Sequence, residues 1–265
     1  MHLEATAQRE ARPALPTNPG LDLGWVEEIA PDDWANYIVA MEALRRANVR
    51  FMLGGGFAQG SFSGRWRHTK DIDFYILPSD RHAAIAALTS ERFVDYYATL
   101  PYDREWIYRS TREGVLVDII WSMANRRAQV DESWIERGTP IQVRDQRMLL
   151  MGIEEFIWCK LYIVQRDRCD WIDVMNLLYT NSARIDWKHL IHRLGGDAPL
   201  LQAVLTLFGW VHPERALLIP QAIRSQLHVP TPRAEDALCW EQRARWLDSR
   251  VWFTASRPRG ERLEI

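Results

Sequence analysis

The chain predicts an α+β fold, a β-sheet core with flanking helices followed by a smaller helical domain. Three observations carry this. Short apolar runs of strand length recur through the first 150 positions, a helical apolar period takes over from Gly152, and 265 residues at 47% hydrophobic are enough to bury a sizeable core. The expected division is a flexible arm over 1–24, a sheet domain over 25–150, a helical domain over 151–248 and a tail over 249–265.

Taken in order, residues 1–24 hold Pro13, Pro16 and Pro19 without a period and read as a loose arm. Pro31, Asp32 and Asp33 open a helix whose apolar face is Trp34, Tyr37, Ile38, Met41 and Leu44. Residues 49–53 form an apolar run that stops at Gly54, Gly55 and Gly56. That pattern predicts a buried strand and then a turn whose N–H groups, backed by the next helix, cradle an anion such as phosphate. The plainer reading is a turn and nothing more. A P-loop is excluded by the missing Gly-Lys-Ser/Thr, and the dinucleotide fingerprint by Gln59 where it needs glycine.

Residues 71–77, DIDFYIL, read as a strand, so Asp71 and Asp73 share one face while Ile72, Phe74 and Ile76 face the core. Two carboxylates this close resist joint ionisation unless a cation lies between them, and Mg2+ is the natural occupant. A solvated strand start is the alternative. Ser79 is expected to cap a helix through Ser90, with Ala84, Ile85 and Leu88 on the sheet. Residues 106–111 and 115–121 predict a hairpin across Arg112, Glu113 and Gly114. Its second strand is apolar on both sides of Asp118, and an unpaired carboxylate there costs on the order of several kcal/mol. A buried arginine would answer that cost; a metal shared with Asp71 and Asp73 accounts for all three acids together. Residues 141–143 and 148–151 are further candidate strands.

Between glycines and acids lie Ser61, Ser63, Arg65, Arg67, His68 and Lys70. Arg65, Arg67 and Lys70, with the serine hydroxyls, are candidates to hold phosphate, against the alternative of an exposed basic linker. Lysine is scarce: Lys70, Lys160 and Lys188 are the only three.

From Gly152 the stripe Ile153, Phe156, Ile157, Leu161 and Val164 marks a helix with Lys160 in the middle of its apolar face. Such a lysine either snorkels, pairs with an aspartate or faces a cleft and meets phosphate. Asp170 and Asp173 follow on one side of the next helix, beside Trp171, Val174 and Leu178. Trp187, Leu190, Ile191 and Leu194 form a stripe closed by Gly195 and Gly196, Asp197 is placed to cap a helix through Phe208, and a weaker helix is expected over 234–247. His189, His192 and His212 match no metal-ligand pattern.

Gly55 and Gly56, the Asp71-Ile72-Asp73 run after residues 57–70, and the strand-borne Asp118 resemble the nucleotidyltransferase superfamily that includes DNA polymerase beta. The Gly55-Gly56-Phe57-Ala58 start and the run Thr69-Lys70-Asp71-Ile72-Asp73 are similar to the lincosamide and aminoglycoside nucleotidyltransferases and to the abortive-infection type toxins. The resemblance covers about half the chain. It implies a mixed sheet with flanking helices, ATP or another NTP as donor, and two Mg2+ ions on Asp71, Asp73 and Asp118, with Gly55, Gly56 and Lys70 at the phosphates. The lysine helix with Asp170 and Asp173 resembles later motifs of the toxins, which implies nucleotide-site roles for Lys160 and Asp173. There the chain departs from the pattern, since position 167 is Asp, with Arg166 and Arg168 on either side, where the family has arginine. The competing reading of Lys160 is a lysine–aspartate bridge fastening two helices.

The expected reaction is transfer of an NMP from an NTP to an acceptor hydroxyl with release of pyrophosphate. The acceptor is either a small molecule, which the net charge of −2 and the antibiotic-type match suit, or RNA or protein, which the toxin-like half suits, with an antitoxin-like partner in that case. A nucleotide-binding regulatory module without turnover is the alternative of a different class. Cys159, Cys169 and Cys239 are odd in number and lack metal spacing, which fits a reducing cytoplasm. No signal peptide and no long apolar span is read from the sequence, so no membrane partner is expected.

Overall fold

A computed structural model describes residues 20–166 and 168–232 together with Gln242, Arg243 and Trp246. The arm before Gly20, the tail over 249–265, Asp167, Cys239 and most of the helix expected over 234–247 lie outside the described residues.

Helix α1 (Pro31–Arg46) starts with proline at its first turn, where the missing N–H costs nothing, and carries Asp32 and Asp33 at the positive end of its dipole. Trp34, Tyr37, Met41 and Leu44 are buried and Ile38 is half-buried, as the period predicts. Strand β1 (Phe51–Leu53) is shorter than the apolar run that predicts it, because Asn48 takes a positive φ of 56° and turns the chain just before. Helix α2 (Gly55–Ser63) then begins on the glycines, and β2 (Asp71–Ile76) returns antiparallel to β1.

Helix α3 (Arg81–Ser90) buries Ala84 and Leu88 against the sheet. The expected Ser79 cap does not form: Pro78–Asp80 is a short 3-10 turn, and the Ser79 hydroxyl donates to Asp80 Oδ1 at 3.3 Å instead. Strand β3 (Val94–Asp95) is followed by the hairpin of β4 (Ile107–Arg112) and β5 (Val115–Ile120). Glu113 (φ 53°) and Gly114 (φ 84°) make its two-residue turn, the left-handed pair whose twist matches that of the strands. A short α4 (Glu132–Glu136) precedes the second hairpin, β6 (Thr139–Val143) and β7 (Gln146–Leu150), which matches the two predicted late strands.

The seven strands form one mixed sheet in the order β3-β4-β5-β2-β1-β7-β6. β2 pairs parallel with β5, and β1 parallel with β7, while the other neighbours are antiparallel. Parallel neighbours need a long crossover, so these two pairings bring together segments far apart in sequence. In register, Asp73 lies opposite Asp118 on one side, and Leu53, the last residue before the glycines, lies opposite Phe74 on the other.

Helices α5 (Ile153–Leu161), α6 (Trp171–Asn181), α7 (Trp187–Leu194), α8 (Ala198–Val211), α9 (Pro213–Ala216) and α10 (Gln221–Gln226) complete the described chain. One continuous apolar core runs from the sheet into them. α5 ends at Leu161, so Val164 leaves the predicted stripe and is exposed. Asp197 precedes α8 but caps nothing there; its Oδ2 accepts from Tyr162 at 2.6 Å and from Arg127 at 2.7 Å. The arm is fastened from Gly20 onward: Leu21 and Leu23 pack on the core, and the Asp22 N–H donates to the Ser61 carbonyl at 2.8 Å.

Residues Trp187–Val211 are long and apolar enough to cross a membrane, which the sequence reading did not anticipate. The stretch is interrupted between α7 and α8 by the 3-10 turn Gly195–Asp197, with Gly195 at φ 52°, and Leu190, Leu194, Leu201, Val204, Leu205 and Phe208 are buried in the core.

Candidate active site

The strand pairings assemble one cluster. Asp71, Asp73 and Asp118 each offer a carboxylate oxygen, and these oxygens lie within 4.8 Å of one another; among the described residues this is the one group of acids, histidines or cysteines with that property. Asp71 and Asp73 share a face of β2 because alternate residues of a strand point the same way, and the parallel register with β5 sets Asp118 beside Asp73.

The glycines meet this cluster from the next element. Gly54 donates its N–H to the Asp73 carbonyl at 2.9 Å. Gly55 adopts φ +54°, and a Cβ built there would lie 1.6 Å from Asp73 Oδ2. Only glycine therefore fits, for conformation and for space alike, and the N-terminus of α2 is pressed against the carboxylate. Gly55, Gly56 and the three aspartates line a cavity of about 320 Å³, whose opposite wall carries Phe156, Cys159 and Lys160 of α5 with Arg168 and Asp170.

Asp118 is almost fully buried and is paired with Arg109, its register partner on β4. Arg109 Nε donates to Asp118 Oδ1 at 2.8 Å and Oδ2 at 3.2 Å, Nη2 bonds Oδ2 as well, and the same Nη2 reaches Asp71 Oδ2 at 3.1 Å. Thr69 Oγ1 donates to Asp71 Oδ1 at 2.7 Å. Among the described residues no side chain forms an ion pair with Asp73. Burial, with the neighbouring Asp71 and Asp118 carboxylates, lifts the Asp73 carboxyl well above its ordinary range; burial lifts Asp118 too, against the opposing pull of Arg109. Under-neutralised oxygen donors fit a hard divalent cation, which favours their ionised forms. In such a site Asp71 and Asp73 would be the principal ligands, with Asp118 in reach.

Lys160 resolves the three readings set for it. Its ammonium is buried and donates to Asp170 Oδ2 at 2.9 Å and Asp173 Oδ2 at 2.7 Å, so it is a bridge between α5 and α6 that also lines the cavity. Asp173 lies behind it, off the cavity wall, and also meets Arg67 at 3.3 Å. Arg168 pairs with Asp170 at 3.0 Å. Although burial alone would raise the Asp170 carboxyl, the hydrogen bonds and charges of Arg168 and Lys160 hold it below its ordinary value.

Other expected phosphate ligands go elsewhere. Lys70 is exposed and not on the cavity wall, whereas Arg67 is on it. The Ser61 and Ser63 hydroxyls are buried within α2, donating to the Phe57 carbonyl at 2.8 Å and the Gln59 carbonyl at 2.5 Å. Cys159 is buried, and burial pushes its thiol far above the ordinary range, which disfavours the thiolate. Arg109 is the residue that sequence reading missed by name. The signal was present: a two-residue turn at Glu113 and Gly114 makes 112 face 115 and therefore 109 face 118.

A family model described as uncharacterised nucleotidyltransferase matches residues 39–207, the segment that contains the whole cluster. The chain belongs to this family. Solved structures similar to the nucleotidyltransferase include the antibiotic-resistance factor ANT(2'')-Ia, at 14% identity, covering 76% of this chain and 95% of that one, with a TM-score of 0.40. The lincosamide antibiotic adenylyltransferase LnuA is similar at 16% identity over 58% of this chain and 99% of that one, with a TM-score of 0.41. An antigenic nucleotidyltransferase-like protein from Paracoccidioides brasiliensis is similar at 20% identity over 78% and 97%, with a TM-score of 0.39. No curated protein matches the sequence.

Proposed function

We propose that the cavity transfers an NMP from an NTP, with ATP as the donor, to an acceptor hydroxyl, releasing pyrophosphate. The observation that carries this reading is the convergence of three carboxylates and a glycine-started helix on one wall of a cavity whose other wall bears cations. A bound divalent cation would supply charge neutralisation for the triphosphate and acidify the attacking hydroxyl. The protein's own groups do the rest. The backbone at Gly55 and Gly56 and the start of α2 receive phosphate oxygens, and Arg67, Arg168 and Lys160 face the charge that develops on the leaving pyrophosphate. Asp118, held in one orientation by Arg109 and raised by burial, takes the hydroxyl proton on a carboxylate oxygen.

One observation favours a second reading. Arg109 already covers both oxygens of Asp118 and one of Asp71, as in a nucleotide-binding module without turnover. The test is incubation of the purified protein with each α-labelled NTP and Mg2+ against total RNA, total protein and a metabolite extract. Transfer is expected with label from ATP entering one fraction, which also names the acceptor as small molecule, RNA or protein. NTP binding with no labelled fraction would put the silent module in its place.

A further inference from the structure

The carboxylate cluster holds one cation of its own, and its geometry limits what else the cluster takes. Arg109 engages both oxygens of Asp118 and, through Nη2, the Asp71 oxygen that faces it at 3.1 Å. The remaining Asp71 oxygen accepts from Thr69 Oγ1 at 2.7 Å. A guanidinium does not lose its proton, and its flat fork matches a carboxylate on two atoms, so this charge is fixed in amount and in place. The strand pairing fixes it further: Arg109 cannot slide along β4 without breaking the register that sets 107–112 against 115–120. Asp73 stands apart, with no ion-pair partner among the described residues and its carboxylate against the α2 N-terminus at Gly55.

A second divalent cation at Asp118 would compete with a permanent guanidinium for the same oxygens and would repel it at close range. Before phosphates are counted, three carboxylates, one guanidinium and one divalent cation are together neutral; two divalent cations would leave an excess of two positive charges. We propose that Arg109 is the permanent positive charge at the Asp118 end, and that the cluster therefore takes one divalent cation, at the Asp71 and Asp73 end. Arg109 acts through Asp118 as a positioning residue, standing where the resemblance implies a second Mg2+. The proposal rests on the reading of the cavity as a nucleotidyl-transfer site, but its test does not require turnover.

Mn2+ bound per chain is counted by electron paramagnetic resonance on the full-length protein, with and without a non-hydrolysable ATP analogue, for wild type, Arg109→Gln and Arg109→Lys. Wild type is expected to bind one ion, with the analogue or in both arms. Arg109→Gln, which frees Asp118, is expected to bind two. Arg109→Lys, which keeps the charge but loses the fork, is expected to stay at one. Two ions on wild type, no ion on wild type in either arm, or one ion on Arg109→Gln would each overturn the proposal. If Arg109→Gln does not fold, the wild-type and Arg109→Lys counts decide it. Failure to bind the analogue would count against the transfer reading alone, because the arm without nucleotide still counts the ions.

Discussion

The two charged walls of the cavity are built on opposite principles. On the sheet side, one arginine serves three aspartates and pairs with only Asp71 and Asp118, while Asp73 has no ion pair among the described residues. On the helix side, Lys160 is clamped between Asp170 and Asp173, and Arg168 and Arg67 add further cations to the same two acids. The sheet wall is short of positive charge and the helix wall has a surplus. A site short of charge is completed by something from outside, whereas a buried pair with its partners in place holds elements together. The difference leaves the strands with charge still to be balanced and ties the helices together through balanced pairs.

The largest effect should come from the sheet wall. Asp73→Asn removes the least satisfied carboxylate and is expected to lower turnover about a thousandfold or more, the scale that several kcal/mol of lost charge stabilisation implies. Its melting temperature should hold or rise, because a repelling charge is gone. A fall in melting temperature with turnover intact would break the contrast between the walls. Lys160→Met tests the other side. It leaves Asp170 and Asp173 buried beside fewer cations and should destabilise the fold by about 3 kcal/mol, read by urea unfolding. A variant of unchanged stability would take the fastening role away from Lys160 and leave it only its place facing phosphate.

The pH dependence of stability without metal should carry opposite signs for the two walls. Asp73 is raised in the folded protein, so as pH climbs past the ordinary carboxylate value the unfolded chain releases this proton first, and stability is lost as pH rises toward the folded value. Asp170 is lowered, so its contribution is present above the ordinary value and is lost as pH falls through the folded one. Thermal melts across acidic to neutral pH should show Asp73→Asn flattening the loss on the rising side and Asp170→Asn flattening the loss on the falling side. Both variants changing the same limb would sink the contrast. This is the smallest effect, since other carboxylates titrate in the same range.

Much of the sheet wall was readable in the chain. Strand alternation places Asp71 and Asp73 on one face whatever surrounds them, the apolar flanks of Asp118 demand a partner for it, and helix periodicity places Lys160 on a buried face. Arg109 was readable in principle from the two-residue turn. Local rules fail where the neighbour is distant in sequence. The Ser79 and Asp197 caps were predicted from spacing, yet Asp197 is drawn to Tyr162 and Arg127, and Ser61 and Ser63, which looked free for phosphate, are consumed inside α2.

Residue types and short-range periodicity thus specified the acids, the glycine turn, most of the strands and the family resemblance, because each depends on backbone geometry over a few residues. Only the folded chain decided that β2 lies parallel to β5 and β1 parallel to β7, that Lys70 faces away while Arg67 faces in, and that Lys160 meets two aspartates at once. Those outcomes depend on crossovers and on competition among charges brought together from distant segments, and no local pattern encodes which partner wins.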